Sequence, residues 1–281
     1  MTDPTANLAL STWSLHRTLG ISYPDSPDNP GRGQPEPTWG EGTISLMDLP
    51  AEIARRGIHR LEICTFHMPR HDRGFHTELR AALDEAGVTF QTLLIDDGDI
   101  THPDYHDRDM DWIEDWIEIA TVLGAEKARV IAGKQTPTPE VLERSINGLK
   151  ELGRFGAGHG VRVITENWLA TTPGPTEVNA IMDAVGDQVG LLADFGNWSG
   201  TSKYDDLAAI MVRAENTHAK CAFSDDGEMN ADDFGRCLAV ASEAGFNGPH
   251  TLIYESADND EWGAIERERD FVRNHLRGTV H

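Results

Sequence analysis

Short apolar runs rich in β-branched residues recur eight times along the chain, and between them lie amphipathic stretches of helical length. The runs are LALSTW (8–13), HRLEIC (59–64), VTFQTLLI (88–95), KARVIA (127–132), VRVITE (161–166), VGLLAD (189–194), NTHAKCAF (216–223) and HTLIYE (250–255). HTELRAALDEAG and MDWIEDWIEIATVLGA are typical of the intervening stretches, and EWGAIERERDFVRNHL closes the series. Alternation of this kind signals a parallel sheet whose strands are joined by crossover helices. Several helical stretches stop at a glycine, such as Gly57, Gly87, Gly124 or Gly245, the residue type that takes the left-handed cap conformation. Eight strand–helix units in 281 residues predict an α/β fold of the closed (β/α)8 TIM-barrel type, a single domain over 1–281. A doubly wound nucleotide-binding sheet is the alternative, but the first strand is followed by STWSLHRTLG rather than GxGxxG.

Composition narrows the function classes. The formal net charge is -23, and such a field repels phosphate backbones, so nucleic acid is not an expected partner. The acids are spread through DDGD, DYHDRDMDW, SDDGE and SADNDEWG, which reads as a solvated acidic surface. Cys64, Cys221 and Cys237 form no CxxC pair; they are expected in the core of a protein from a reducing compartment, and they argue against a thiolate zinc site. MTDPTANLAL has no basic segment leading into a long apolar one, and no window reaches the roughly 18 apolar residues of a membrane span. The expectation is a soluble, cytoplasmic protein without a membrane partner.

In a (β/α)8 barrel the functional face lies at the C-terminal ends of the strands, where neighbouring strands bring side chains to one point. Glu166 ends the fifth run, Asp194 ends the sixth, His218 lies within the seventh and Glu255 ends the eighth. Four ligand-type side chains thus come from four consecutive strands. Three carboxylates and one imidazole suit one Mn²⁺, Mg²⁺, Co²⁺ or Zn²⁺ ion. Without a cation, clustered acids in a partly buried pocket repel one another and shift their pKa values; a divalent ion relieves that conflict.

The pieces TENW, ADFGN, THAK and YES, preceded by LSTWSL and GIHRLEI, resemble the xylose isomerase-like TIM-barrel superfamily. The resemblance is to its sugar isomerase and epimerase branch, which includes D-tagatose 3-epimerase and inosose dehydratase relatives. It implies one divalent metal, manganese first, at Glu166, Asp194, His218 and Glu255. It also implies that Glu166 and Glu255 are the acid and base that move a proton at the carbon next to a carbonyl. Many members of the family carry Asp-x-x-His after the sixth strand, whereas this chain has Asp194-Phe195-Gly196-Asn197. Asn197 can hydrogen-bond a substrate hydroxyl but is a poor metal ligand and no proton carrier. With KCAFSDDGE after His218 lacking histidine, the endonuclease IV branch with its three-zinc cluster is disfavoured.

Other residues are candidates for substrate contact. His67 follows the second strand and His16 the first; His71 and His76 are expected in loops, and His102 and His106 in a solvated loop. Lys220, two residues after His218, shares its strand face. Trp13 and Trp168 sit at strand ends, suited to sugar C–H faces. The segment GISYPDSPDNPGRGQPEPTWGEGT (20–43) is long and rich in Pro and Gly for a βα turn, and Tyr23 and Trp39 favour a lid over a loose insertion. The function expected is a metal-dependent isomerase or epimerase of a free sugar or polyol ketone, acting through an enediolate. A lyase of the inosose dehydratase type and a non-catalytic carbohydrate-binding or partner subunit are the alternatives. The partner expected is a small-molecule sugar or polyol, with homo-oligomerisation left open.

Overall fold

The structure, a computed structural model, describes residues 7–30, 34–256 and 260–279. Eight strands, β1 (Leu8–Ser11), β2 (Arg60–Cys64), β3 (Thr89–Leu94), β4 (Lys127–Arg129), β5 (Arg162–Glu166), β6 (Gly190–Asp194), β7 (Ala214–Lys220) and β8 (His250–Ile253), pair in sequence order and in parallel. β8 returns to β1, with Ala9 opposite Thr251, so the sheet closes into the expected barrel. Around it run α1 (His16–Leu19), α2 (Leu49–Arg55), α3 (Arg73–Ala86), α4 (His106–Leu123), α5 (Pro139–Gly158), α6 (Pro175–Val185), α7 (Lys203–Met211), α8 (Ala231–Glu243) and α9 (Glu261–Thr279).

The helices begin where short polar side chains take up the free amides of the first turn. Asp72 accepts from the Phe75 amide at α3, Thr138 from Val141 at α5, and Asn230 from Asp233 at α8. In α4 the buried residues Trp112, Ile113, Trp116, Ile117 and Ala120 recur at helical spacing, which turns one stripe to the sheet. His76 belongs to α3 and is buried, against the loop placement expected for it; its Nε2 lies 2.7 Å from the Pro69 carbonyl. His106 opens α4 in place of ending a loop. All three cysteines are buried and unpaired.

The inside of the barrel is polar at its centre. Glu62 Oε1 accepts from Gln91 Nε2 at 2.7 Å, Thr92 Oγ1 at 2.8 Å and Asn216 Nδ2 at 3.3 Å, and Gln91 Nε2 also reaches Thr251 Oγ1 at 3.1 Å. These residues come from β2, β3, β7 and β8, so the network crosses the barrel. Glu62 has no exposed surface, and its donors offset the cost of burying a carboxylate.

Several strands end earlier than their apolar runs suggest, β1, β4, β7 and β8 by two or three residues. After Ser11 the chain turns into a 3₁₀ helix (Thr12–Leu15), because the Ser11 side chain accepts from the Trp13 amide, an alternative to the ladder that serine readily offers. β8 stops at Ile253, which leaves Glu255 two residues beyond the strand.

The segment after α1 forms a compact loop in its described parts. Its neck is so tight that a Cβ on Gly20, at φ 69°, would lie 2.1 Å from the Gly42 amide nitrogen. Ser22 and Glu36 exchange amide-to-carbonyl bonds of 2.8 Å, and the Tyr23 amide donates to the Phe66 carbonyl at 2.7 Å. Asp25 is the anchor: its Oδ2 accepts from the indoles of Trp112 and Trp116, each at 3.1 Å, and from Arg70 at 3.5 Å.

Candidate metal centre and active site

Glu166, Asp194 and His218 converge at the C-terminal mouth of the barrel, all buried, with one ligand atom from each within 4.8 Å of the others. Strand register is the cause, because Asp194 lies directly opposite His218 and Glu166 opposite Leu192, two residues before Asp194. His218 Nδ1 faces both acids, 3.4 Å from Asp194 Oδ2 and 3.6 Å from Glu166 Oε1. Its other nitrogen, Nε2, lies 2.9 Å from Glu62 Oε2. A carboxylate behind a histidine fixes the ring's orientation and raises the basicity of the nitrogen turned to the site.

Backbone contacts set the two acids. Asp194 Oδ1 accepts from the amides of Gly196 and Asn197 at 2.5 and 3.0 Å, which leaves Oδ2 toward His218. Gly196 leaves room for the Lys220 side chain, whose Cδ would lie 2.6 Å from a Cβ at this position. Asn167 ties the ends of β5 and β6, accepting from the Asp194 amide at 2.7 Å and donating to its carbonyl at 3.2 Å. Glu166 is flanked on both oxygens: Asn197 Nδ2 donates to Oε1 at 2.9 Å, and Arg129 Nε lies 3.3 Å from Oε2. The Arg129 guanidinium, itself buried, also meets Asp96 at 2.5 Å and lies 4.9 Å from the Trp168 ring.

Electrostatics follow this packing. Burial acts to lower the His218 pKa, yet the carboxylates of Glu166 and Glu62 and the hydrogen bonds the ring donates to Asp194 and Glu166 outweigh it and hold the ring well above the usual imidazole range. Burial acts to raise Glu166, and Arg129 and His218 together bring it below the usual carboxylate range. Asp96 goes the other way, its burial prevailing over Arg129. The set fits a divalent cation: two carboxylates and one imidazole nitrogen face one point.

A cavity of about 60 Å³ opens on the cluster, walled by Trp13, Trp168, Arg129, Asn197, Lys220 and Ile253. Glu255 is not drawn into the buried group. Its carboxylate pairs with Lys220 and is 52% exposed. It lies two residues beyond β8 and borders a neighbouring cavity with His16 and Trp39. His16 there is only partly buried, and its pKa is lowered to about 4, chiefly by burial against an opposing pull from Glu255. His67 is 2% exposed and lies beneath the long loop, away from the cluster.

Glu62 and Arg129 carry no role in the sequence reading. Each is a charged residue inside an apolar run, HRLEIC and KARVIA, and that mismatch was the available signal: a charge within a central strand must find partners across the barrel.

The family model described as xylose isomerase-like TIM barrel matches residues 50–275. The chain therefore belongs to the xylose isomerase-like TIM-barrel family. No curated protein shows a matching sequence. Among solved structures, a xylose isomerase-like TIM-barrel protein from Mycobacterium smegmatis in complex with magnesium is similar at 15% identity and a TM-score of 0.71, with 100% of each chain covered. An L-ribulose 3-epimerase is similar at 13% identity and a TM-score of 0.70, over 97% of this chain and 95% of that one. A D-psicose 3-epimerase from Clostridium cellulolyticum H10, solved with D-tagatose, is similar at 16% identity and a TM-score of 0.63, over 85% of this chain and 94% of that one. At such identities the likeness is one of fold.

Proposed function

We propose that the chain isomerises or epimerises a free sugar or polyol ketone through an enediolate, using one divalent ion held by Glu166, Asp194 and His218 and completed by Glu255. The observation that carries this reading is the buried Glu166–Asp194–His218 group, with His218 Nδ1 turned toward the acids by Glu62. Manganese is the first choice and Mg²⁺, Co²⁺ and Zn²⁺ the alternatives, since mixed carboxylate and imidazole donors suit all four. Names of similar structures, two ketose 3-epimerases and a magnesium complex, support the same reading.

When bound, the ion supplies Lewis-acid polarisation of the substrate carbonyl and charge to stabilise the enediolate. The chain supplies the proton chemistry. One glutamate of the pair Glu166 and Glu255, as carboxylate, takes the proton from the carbon next to the carbonyl, and the C–H electron pair passes into the enediolate. The other, starting protonated, returns a proton. Delivery to the opposite face gives the epimer; delivery to the neighbouring carbon gives the isomer. Asn197 and Arg129 hold the Glu166 carboxylate in place. Lys220 presents an ammonium to the cavity, and Trp13 and Trp168 offer apolar walls to sugar C–H faces.

Metal analysis followed by exchange of solvent deuterium into a panel of ketoses and inososes tests the reading. Asp194→Ala is expected to lose the ion while keeping its circular dichroism spectrum. Glu166→Gln and Glu255→Gln are expected to slow exchange by roughly 10²- to 10⁴-fold. Exchange at the wild-type rate in both Gln variants would overturn the proton-transfer roles, and release of water from an inosose would move the protein to the lyases.

A further inference from the structure

Beside the carboxylate cluster lies a second cavity, of about 120 Å³, bounded by Trp13, His16, Trp39, Tyr254 and Glu255 among others. Trp13 also walls the first cavity. The Lys220–Glu255 pair bridges the two spaces, with Lys220 on the cluster side and Glu255 on the other. The second cavity has an aromatic face: the His16 imidazole stacks on the Trp39 indole at 4.3 Å and 15°, and meets Trp13 edge-on at 5.1 Å. Phe66 and His67 pack behind this stack, their rings 5.8 and 5.5 Å from that of His16.

This group is a poor design for packing alone. His16 Nδ1 and both ring nitrogens of His67 are buried without a hydrogen-bond partner, and buried polar atoms left unmet are costly in a purely structural cluster. Nor is the stack needed to hold the loop that carries Trp39, because Asp25 already pins that loop to α4. The cavity over the carboxylate cluster is walled by Trp13 and Trp168, whereas Trp39 and His16 border the second cavity.

We propose that the second cavity is a subsite for a second ring, so that the site takes, besides a free ketose, a keto sugar with a glycosidically attached ring, the keto ring over the cluster and the attached ring against Trp13 and the His16–Trp39 stack. The proposal rests on reading the cluster as a sugar-processing site. Aromatic rings favour the apolar face of a pyranose or an aryl group, and Trp13, His16 and Trp39 offer such faces around the cavity.

Calorimetric titration of the metal-loaded protein with phenyl β-D-glucopyranoside and methyl β-D-glucopyranoside tests the subsite without requiring turnover, since neither probe has a carbonyl. The phenyl glycoside is expected to bind about tenfold more tightly. Trp39→Leu is expected to bring the ratio to about one; His16→Asn gives the same reading if Trp39→Leu does not fold. Equal affinities, no binding of either probe at millimolar concentration, or a ratio unchanged in the variants would each overturn the subsite. Preference for the phenyl glycoside with no deuterium exchange into any ketose would leave the subsite standing and remove the catalytic reading. Exchange without the preference would do the reverse.

Discussion

Glu62 sits where a barrel usually places an aliphatic side chain, and four partners from two other strands, β3 and β7, converge on it. Its burial alone would push the carboxyl toward protonation; His218 and the neutral donors prevail and hold it below the usual carboxylate range. As an anion it orients the His218 ring, so Glu62→Gln is expected to lower metal affinity roughly 10- to 100-fold, read by competition with a chelator. An affinity equal to wild type would show that His218 is oriented by β7 alone. His250 offers a test of burial without any link to the metal. It is buried at the start of β8, with Nδ1 2.8 Å from Thr217 Oγ1, and desolvation lowers its pKa to about 4. The unfolded chain takes up that proton near pH 6.5 and the folded protein only near 4, so this residue's contribution to stability is full above pH 6.5 and is lost as pH falls toward 4. That loss amounts to about 3 kcal/mol. Urea midpoints of wild type and His250→Gln are expected to converge between pH 6.5 and 4; a constant gap would remove the assignment.

At the scale of elements, the 20–43 segment shows how a loop is packed onto a barrel. Tyr23 and Trp39 were visible in the sequence as reasons to expect packing. Asp25 was not, because an aspartate between two prolines reads as an ordinary turn residue until Trp112, Trp116 and Arg70 are seen around it. Removing the buried Asp25 carboxylate leaves the indole N–H groups of Trp112 and Trp116 without their acceptor and Arg70 with Asp115 as its remaining carboxylate. Asp25→Ala is therefore expected to cost about 3 kcal/mol in denaturant unfolding. It should also expose the segment to limited proteolysis while leaving metal affinity unchanged. Resistance to proteolysis equal to wild type would mean that the neck at Gly20 and Gly42 holds the loop by itself. The turn after β6 works similarly on a shorter length. Asp194 accepts two amides of its own turn, and the glycine at 196 lets Lys220 pass.

The whole molecule carries a net charge of -23, and its ion pairs are mostly at the surface, where each contributes about 0–1 kcal/mol. General repulsion among the acids should therefore outweigh the attraction of the pairs. Raising NaCl from about 0.05 M to 1 M, which shortens the Debye length to about 3 Å, is expected to raise Tm. A fall in Tm would mean that the pairs dominate. Divalent metal at about one hundred times its dissociation constant is expected to add about 2.7 kcal/mol more, and none in Asp194→Ala.

The order of eight strands, their parallel direction and their closure were legible in the sequence, because a run of apolar residues followed by an amphipathic helix is a local pattern that needs no partner to be recognised. The same pattern located Glu166, Asp194 and His218, which lie on the ends of β5 and β6 and within β7. Their convergence followed from barrel geometry alone. What the sequence left open depends on contacts between residues far apart along the chain. Glu62 meets His218 across 156 positions, and Arg129 meets Glu166 from the neighbouring strand. Glu255, legible as the end of an apolar run, pairs with Lys220 at the surface, because β8 stops at Ile253 and the residues beyond it leave the ladder. A side chain's type is written in the sequence, but the partner it takes is set by which atoms the closed barrel brings within reach.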